Sequence, residues 1–152
     1  HGMLHPEGGH IFVHRRPDDP MAKGICPYHG NCLEGLASGP AIERRWGRKG
    51  AELSDCLAVW ELEAFYIGQA ICTYICTLSP ERIVVGGGVM HQEQMLPMIR
   101  QEVRRQMHGY IQGKGMDKLE EYIVPVSLGD NQGVMGGVKL AMDAYIEEGG
   151  TL

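Results

Sequence analysis

The stretch between His10 and Cys32 restricts the fold of this chain more than any other. Cys26-Pro27-Tyr28-His29-Gly30-Asn31-Cys32 sets two thiols and an imidazole at two-residue spacing, and His10 stands upstream as a fourth donor. Two thiolates and two imidazoles suit tetrahedral zinc, which is borderline soft, accepts mixed sulfur and nitrogen ligands and does no redox chemistry. With four protein ligands the site reads as structural. A chain that uses it must bring residues 26–32 back to residue 10, and the crosslink orders a loop rich in Pro and Gly. His5 and His14 compete with His10 for the fourth position, and two carboxylates, Glu7 and Glu34, bracket the run.

A length of 152 residues with 43% hydrophobic content suffices for one domain with a real core and is short for two. The net charge of −5 and a pI near 5.8 argue against a broad nucleic-acid footprint, which needs a clustered basic face. Arg44, Arg45, Arg48 and Lys49 come nearest to one, and at helical spacing they read as a solvated face. The most apolar segment, 65–78, is interrupted by Gly68, Gln69 and Thr73 and is shorter than the roughly 20 apolar residues a bilayer span requires. Nothing resembles a signal peptide, so the expectation is a soluble, cytoplasmic protein. Five cysteines, two of them in the metal-like loop, speak against a disulfide framework. Cys72 and Cys76, four apart on an apolar segment, read as core. His1, His91 and His108 read as surface residues without a partner.

Ile11 and Val13 alternate with His10, Phe12 and His14 as in a half-buried strand. Pro17, Pro20, Gly24 and Pro27 mark a loop over 15–30. A helix is expected from about Cys32, broken at Gly39-Pro40, with 41–46 continuing it. Ser54 is a candidate N-cap for a long helix over about 55–77, in which Leu57, Trp60, Ala64, Ile67, Ile71 and Ile75 recur at helical spacing and which Ser79-Pro80 stops. Arg82-Ile83-Val84-Val85 reads as a strand of the kind buried in a parallel sheet, ending in Gly86-Gly87-Gly88. A helix over about 92–107, a strand over 122–127, a turn at Gly129-Asp130 and a closing helix over 132–148 complete the reading. Strands alternating with helices imply an α/β domain with ligands at the carboxyl ends of the strands.

Several of these phrases together resemble the C-terminal portion of the ROK family of sugar kinases and repressors, and are most similar to its bacterial zinc-containing fructokinase branch. They are Glu7-x-Gly9-His10, the loop ending Cys32-Leu33-Glu34, Leu36-Ala37-Ser38-Gly39-Pro40-Ala41, the run from Leu78 through Gly86-Gly87-Gly88 to Val89, and the late Gly129-Asp130 turn. The Cys26-x-x-His29-x-x-Cys32 spacing is the fructokinase-like form of a loop that carries three cysteines in many members.

The resemblance implies a ribonuclease H-like, actin-like ATPase fold, in which a sugar sits between two lobes and glycine-rich turns hold ATP. It assigns the sugar hydroxyls to Glu7, His10 and Glu34, and the nucleotide side to Gly86, Gly87 and Gly88. It also prefers His10 over the other histidines as metal ligand, one imidazole nitrogen on zinc and the other towards the sugar. The family's Asp-x-Gly-Gly-Thr phosphate motif and its catalytic aspartate would lie before His1. Residues 1–152, with the zinc loop at about 10–32, are therefore expected to be the C-terminal lobe, inactive without an N-terminal lobe that carries the general base. The implied reaction is ATP-dependent phosphorylation of a hexose, fructose to fructose 6-phosphate first, with Mg²⁺ at the phosphates and structural Zn²⁺. A homodimer is expected from the family and from a long helix taken to be exposed. The alternatives are a sugar-sensing repressor with an upstream helix-turn-helix, a kinase for glucose, mannose or an N-acetylated hexosamine, and a small zinc-binding interaction module.

Overall fold

The long apolar segment forms α3, Leu57–Leu78, and the rest of the fold is laid against it. The computed structural model describes residues 6–151, so His1 and His5, the latter a rival ligand, lie outside the described residues. One stripe of α3 carries Trp60, Ala64, Ile71 and Ile75, and it packs on α4, Met95–Met107. That helix answers with Met95, Ile99, Val103 and Met107, all buried, a strict four-residue repeat that keeps one face towards its partner. The Trp60 indole N–H donates to the Leu53 carbonyl at 2.8 Å, which satisfies the one polar atom of the largest core side chain. Leu119 and Ile123 close the far end of this core.

Several boundaries differ from the sequence reading. Cys56, not Ser54, occupies the N-cap of α3 and makes no side-chain cap bond, while the Ser54 hydroxyl donates to the Ala51 carbonyl in the preceding turn. The helix runs to Leu78, where Ser79 takes a left-handed φ of 45° before Pro80. α4 starts at Met95 because residues 92–94 form a turn that follows the 3-10 segment at 88–91. α3 is also largely buried, so an exposed long helix no longer argues for a dimer. Cys72 packs against the core as expected, whereas Cys76 is exposed.

Two strands, β1 (Ile83–Val85) and β2 (Ile123–Pro125), pair in parallel with Ile83 opposite Ile123. The crossover between them runs through α4 and two single-turn helices, α5 (Lys114–Asp117) and α6 (Leu119–Tyr122), as a parallel pair requires. Arg100 of α4 donates to the Ile123 carbonyl from Nε at 3.0 Å and Nη2 at 2.7 Å, fixing the helix to β2. Ile83 and Val85 face the core, but Val84 is 60% exposed, so one face of the pair is uncovered and the buried-strand expectation holds for the other alone.

At the N-terminal side, α1 (Leu33–Leu36) is a single turn and α2 (Gly39–Trp46) begins with Ser38 as N-cap, its hydroxyl accepting from the Ala41 N–H, and with Pro40 in the first turn. A second cluster of Leu36, Leu62 and Tyr66 joins α1 to α3. Ile11 and Val13 are half-buried and Phe12 and His14 exposed, the expected alternation, yet the segment pairs only through one bridge, Phe12 with Cys32. The closing helix α7, Gln132–Glu147, contains no buried residue and leaves Val134, Val138, Leu140, Tyr145 and Ile146 exposed. Among the described residues no helix is long and apolar enough to cross a membrane.

Candidate functional site

The loop from Arg15 to Asn31 has almost no regular structure, and its shape comes from close backbone approach. Gly24 and Gly35 both press on the Gly30 carbonyl so tightly that a Cβ at either would overlap it. The Asn31 side chain accepts the Gly24 N–H at 2.8 Å, Gly30 N–H returns to the Cys26 carbonyl at 3.0 Å, and Ile25 N–H donates to the Gly35 carbonyl at 2.9 Å. Leu33 N–H donates to the Ile11 carbonyl at 2.9 Å, which lays the start of α1 beside the His10 segment.

These contacts bring His10, Cys26, His29 and Cys32 together, with all four donor atoms within 4.8 Å of one another. His10 Nδ1 lies 3.6 Å from Cys32 Sγ and 3.9 Å from Cys26 Sγ, and His29 Nδ1 is 3.8 Å from Cys26 Sγ. A tetrahedral zinc with nitrogen ligands at about 2.0–2.1 Å and sulfur at about 2.3 Å has ligand–ligand edges of about 3.3–3.8 Å. The donor set and its spacing fit a metal ion of that kind. The His29 N–H bonded to Cys26 Sγ at 3.4 Å pulls that thiol down to about 6, while burial pushes Cys32 up. His14 is not part of the group; its main chain is held by the Gln69 amide, which accepts its N–H at 2.8 Å and donates to its carbonyl at 2.9 Å.

With Nδ1 turned to the thiols, His10 Nε2 points the other way and meets Glu34 Oε2 at 3.4 Å. Both line a cleft of about 330 Å³ with Tyr28, Ser38 and Pro40, on the outer side of the metal-ligand cluster. Glu7 is not among the lining residues: its carboxylate is exposed, and its main-chain carbonyl accepts the His10 N–H at 3.0 Å. The Tyr74 hydroxyl of α3 donates to the Gly8 carbonyl at 2.6 Å and fixes the turn (Gly8–His10) that carries His10.

Gly86, Gly87 and Gly88 lie where β1 ends. Gly87 has a φ of 99°, a conformation L side chains rarely adopt, and a Cβ on Gly86 would strike Val126. The turn leads into a 3-10 segment, not directly into α4. A second 3-10 turn, Gly129–Asn131, follows β2, and the two turns border a cleft of about 360 Å³ at the carboxyl ends of both strands. His91 has a partner after all: its Nε2 lies 3.1 Å from Asp130 Oδ1 across that cleft.

Sequence reading missed a second polar cluster. Arg45, placed on a solvated face, has a fully buried side chain between the buried carboxylates of Asp19 and Glu63. Burial pushes Glu63 up to about 8, against the opposing pull of Arg45. Burial and the bond to Asp19 raise Tyr66. The available signal was Glu63 itself, a carboxylate one residue from Ala64 on the inward stripe of an apolar helix.

The ROK family model matches residues 1–144. The chain is 51% identical over 148 residues to a Bacillus subtilis (strain 168) protein provisionally named a fructokinase, covering 97% of this chain and 49% of that one. It is 44% identical to a Zymomonas mobilis fructokinase and 41% identical to one from Pediococcus pentosaceus, covering 95% and 94% of this chain and 48% of each relative. It therefore spans about half the length of the relatives it matches. The crystal structure of a ROK hexokinase from Thermus thermophilus superposes with a TM-score of 0.65 at 22% identity, over 86% of this chain and 45% of that one. That likeness gives the fold, the actin-like ATPase architecture of which these helices and the parallel pair are a part. Sequence and fold agree: the chain belongs to the ROK family.

Proposed function

We propose that residues 1–152 are the C-terminal lobe of an ATP-dependent hexose kinase, with fructose as the first substrate and fructose 6-phosphate as product. The observation that carries this reading is the two-sided placement of His10, Nδ1 on the thiol cluster and Nε2 on Glu34 in an open cleft, in a chain whose relatives are named fructokinases. His10 and Glu34 would bind sugar hydroxyls, with Glu7 as a third group brought in on binding. A rigid set of acceptors and donors selects one polyol, because a misplaced hydroxyl leaves a buried group unpaired. Bound zinc would crosslink the loop and hold the His10 ring and tautomer, and it would supply no chemistry beyond that. Gly86, Gly87 and Gly88 would admit the nucleotide to the cleft between the two turns.

Phosphoryl transfer rests on positioning and charge stabilisation, with Mg²⁺ on the phosphates and a carboxylate to accept the hydroxyl proton. We assign that aspartate to an N-terminal lobe of the same protein, so this chain alone is inactive. A homodimer and a cytoplasmic setting accompany the reading on the strength of the family. The test is ADP release by the complete protein with Mg²⁺ and ATP across fructose, glucose, mannose and N-acetylated hexosamines. Fastest release with fructose supports the reading, and another preferred hexose corrects the substrate. A folded, zinc-loaded protein that releases no ADP with any sugar overturns it in favour of a sugar-sensing role.

A further inference from the structure

Arg45 reaches three separate pieces of chain with one guanidinium. Its Nε donates to Asp19 Oδ1 at 2.9 Å, Nη1 to Glu63 Oε1 at 2.9 Å, and Nη2 to the Leu36 carbonyl at 2.7 Å. Asp19 belongs to the loop that links His10 to Cys26, Leu36 ends the single turn of α1 that carries Glu34, and Glu63 is on α3. Asp19 extends the connection: Oδ1 also accepts the Met21 N–H at 2.8 Å, and Oδ2 accepts from the Tyr66 hydroxyl at 2.6 Å, which itself accepts the Arg16 N–H at 3.1 Å. The side chains of Arg45, Asp19 and Glu63 are all 0% exposed.

Three buried ionisable side chains are a poor choice for stability alone. Their desolvation is costly, and apolar side chains of similar volume commonly serve as well or better. What a guanidinium adds is direction, because its donors leave the plane at fixed angles and define where each acceptor must lie. Here two of the three acceptors belong to the segments beside His10 and Glu34, the loop after His10 and the end of α1, and the third, Glu63, ties them to α3. Neither segment has regular structure long enough to fix itself: α1 is one turn, and the loop has no element between His10 and Cys32.

We propose that Arg45, acting through Asp19, Glu63 and the Leu36 carbonyl, is the positioning residue that sets the Glu34–His10 clamp for its hexose. The proposal rests on the hexose-kinase reading above. It touches neither sugar nor nucleotide, so its loss acts on the sugar side and spares the nucleotide side.

The test uses the complete, metal-loaded protein. The variant Arg45→Met/Asp19→Leu/Glu63→Leu replaces the whole cluster with apolar side chains, so no buried charge is left unpaired; Tyr66 keeps the bond it accepts from Arg16 and loses its acceptor on Asp19. It is expected to fold, to hold as much metal per chain as the parent, and to show a hexose KM raised tenfold or more with the ATP KM within twofold. Arg45→Lys keeps the charge but not the three-way geometry, and should raise the hexose KM as well. Glu63→Gln keeps an acceptor for Nη1 and should recover the hexose KM lost in Glu63→Leu. A hexose KM within twofold of the parent in the folded triple variant overturns the proposal, as does a parallel rise in both KM values. If the triple variant does not fold, Arg45→Lys and the Glu63 pair decide on the same readout. Absence of hexose turnover by the unsubstituted protein overturns the kinase reading itself, an outcome distinct from unchanged KM values in an active enzyme.

Discussion

A carboxyl group closed off from water holds its proton longer, and Glu63 is the case where this becomes measurable. Asp19 and Glu63 face a single guanidinium, so the cluster is neutral overall when one carboxyl is protonated; Glu63 Oε2, buried and without a hydrogen-bond partner, is the oxygen on which that proton fits. With the group at about 8, against an ordinary 4.5, the folded chain keeps a proton between those pH values that the unfolded chain has released. The stabilisation is therefore complete below pH 4.5 and is lost as pH rises through 8, a change on the order of 5 kcal/mol across the window. Glu63→Gln should remove this slope while keeping the bond to Arg45. Urea unfolding at pH 5.5 and pH 8.5 measures it: the parent should weaken at the higher pH by clearly more than the variant. Parallel losses in the two proteins would mean that Glu63 is already ionised when folded.

At the level of elements, the metal loop shows what sequence could and could not reveal. Cys26, His29 and Cys32 were legible as a candidate metal site because thiol and imidazole spacing in one short run encodes one directly, whereas His10 stood beside His5 and His14 as rivals and was preferred through the family resemblance. Gly24 and Gly35 carried no such mark, since their role is close approach to Gly30, a contact fixed only when the loop is closed. The β1 strand and its glycine turn were legible from a β-branched run meeting three glycines, but the turn at residues 92–94 was not, because Gln92 to Gln94 are as helix-compatible as the residues after them. Arg45 was misplaced for a related reason: helical spacing of basic residues describes one helix, and burial depends on the loop and helix that fold over it. Paired Cys26→Ser and Cys32→Ser changes test the loop. Hydroxyls replace both thiolate ligands, so a chain that binds one zinc should bind substoichiometric metal, and Arg15 to Asn31 should become the first site of limited proteolysis. Undiminished zinc after both changes would remove the thiols from the ligand set.

For the molecule as a whole, the interior is concentrated where α3 meets α4, and the C-terminal end is left open. α7 presents Val134, Val138, Met142 and Tyr145 at three- and four-residue spacing, all exposed. A contiguous apolar stripe of this kind is the surface a further element covers, and a chain that spans half the length of its relatives has such an element available under the two-lobe reading. The two states of the protein then respond differently to one change. In the isolated chain Val134→Lys/Val138→Lys removes no buried contact, so its unfolding free energy should shift by no more than about 0.5 kcal/mol, and its tendency to self-associate should fall. In the complete protein the same pair of lysines would be forced into a covered face without partners, a loss of several kcal/mol. Chemical unfolding of both proteins, with and without the substitutions, separates the cases. Equal and small shifts in the two would place α7 on an open surface of the complete protein and break the link between its apolar stripe and the proposed second lobe.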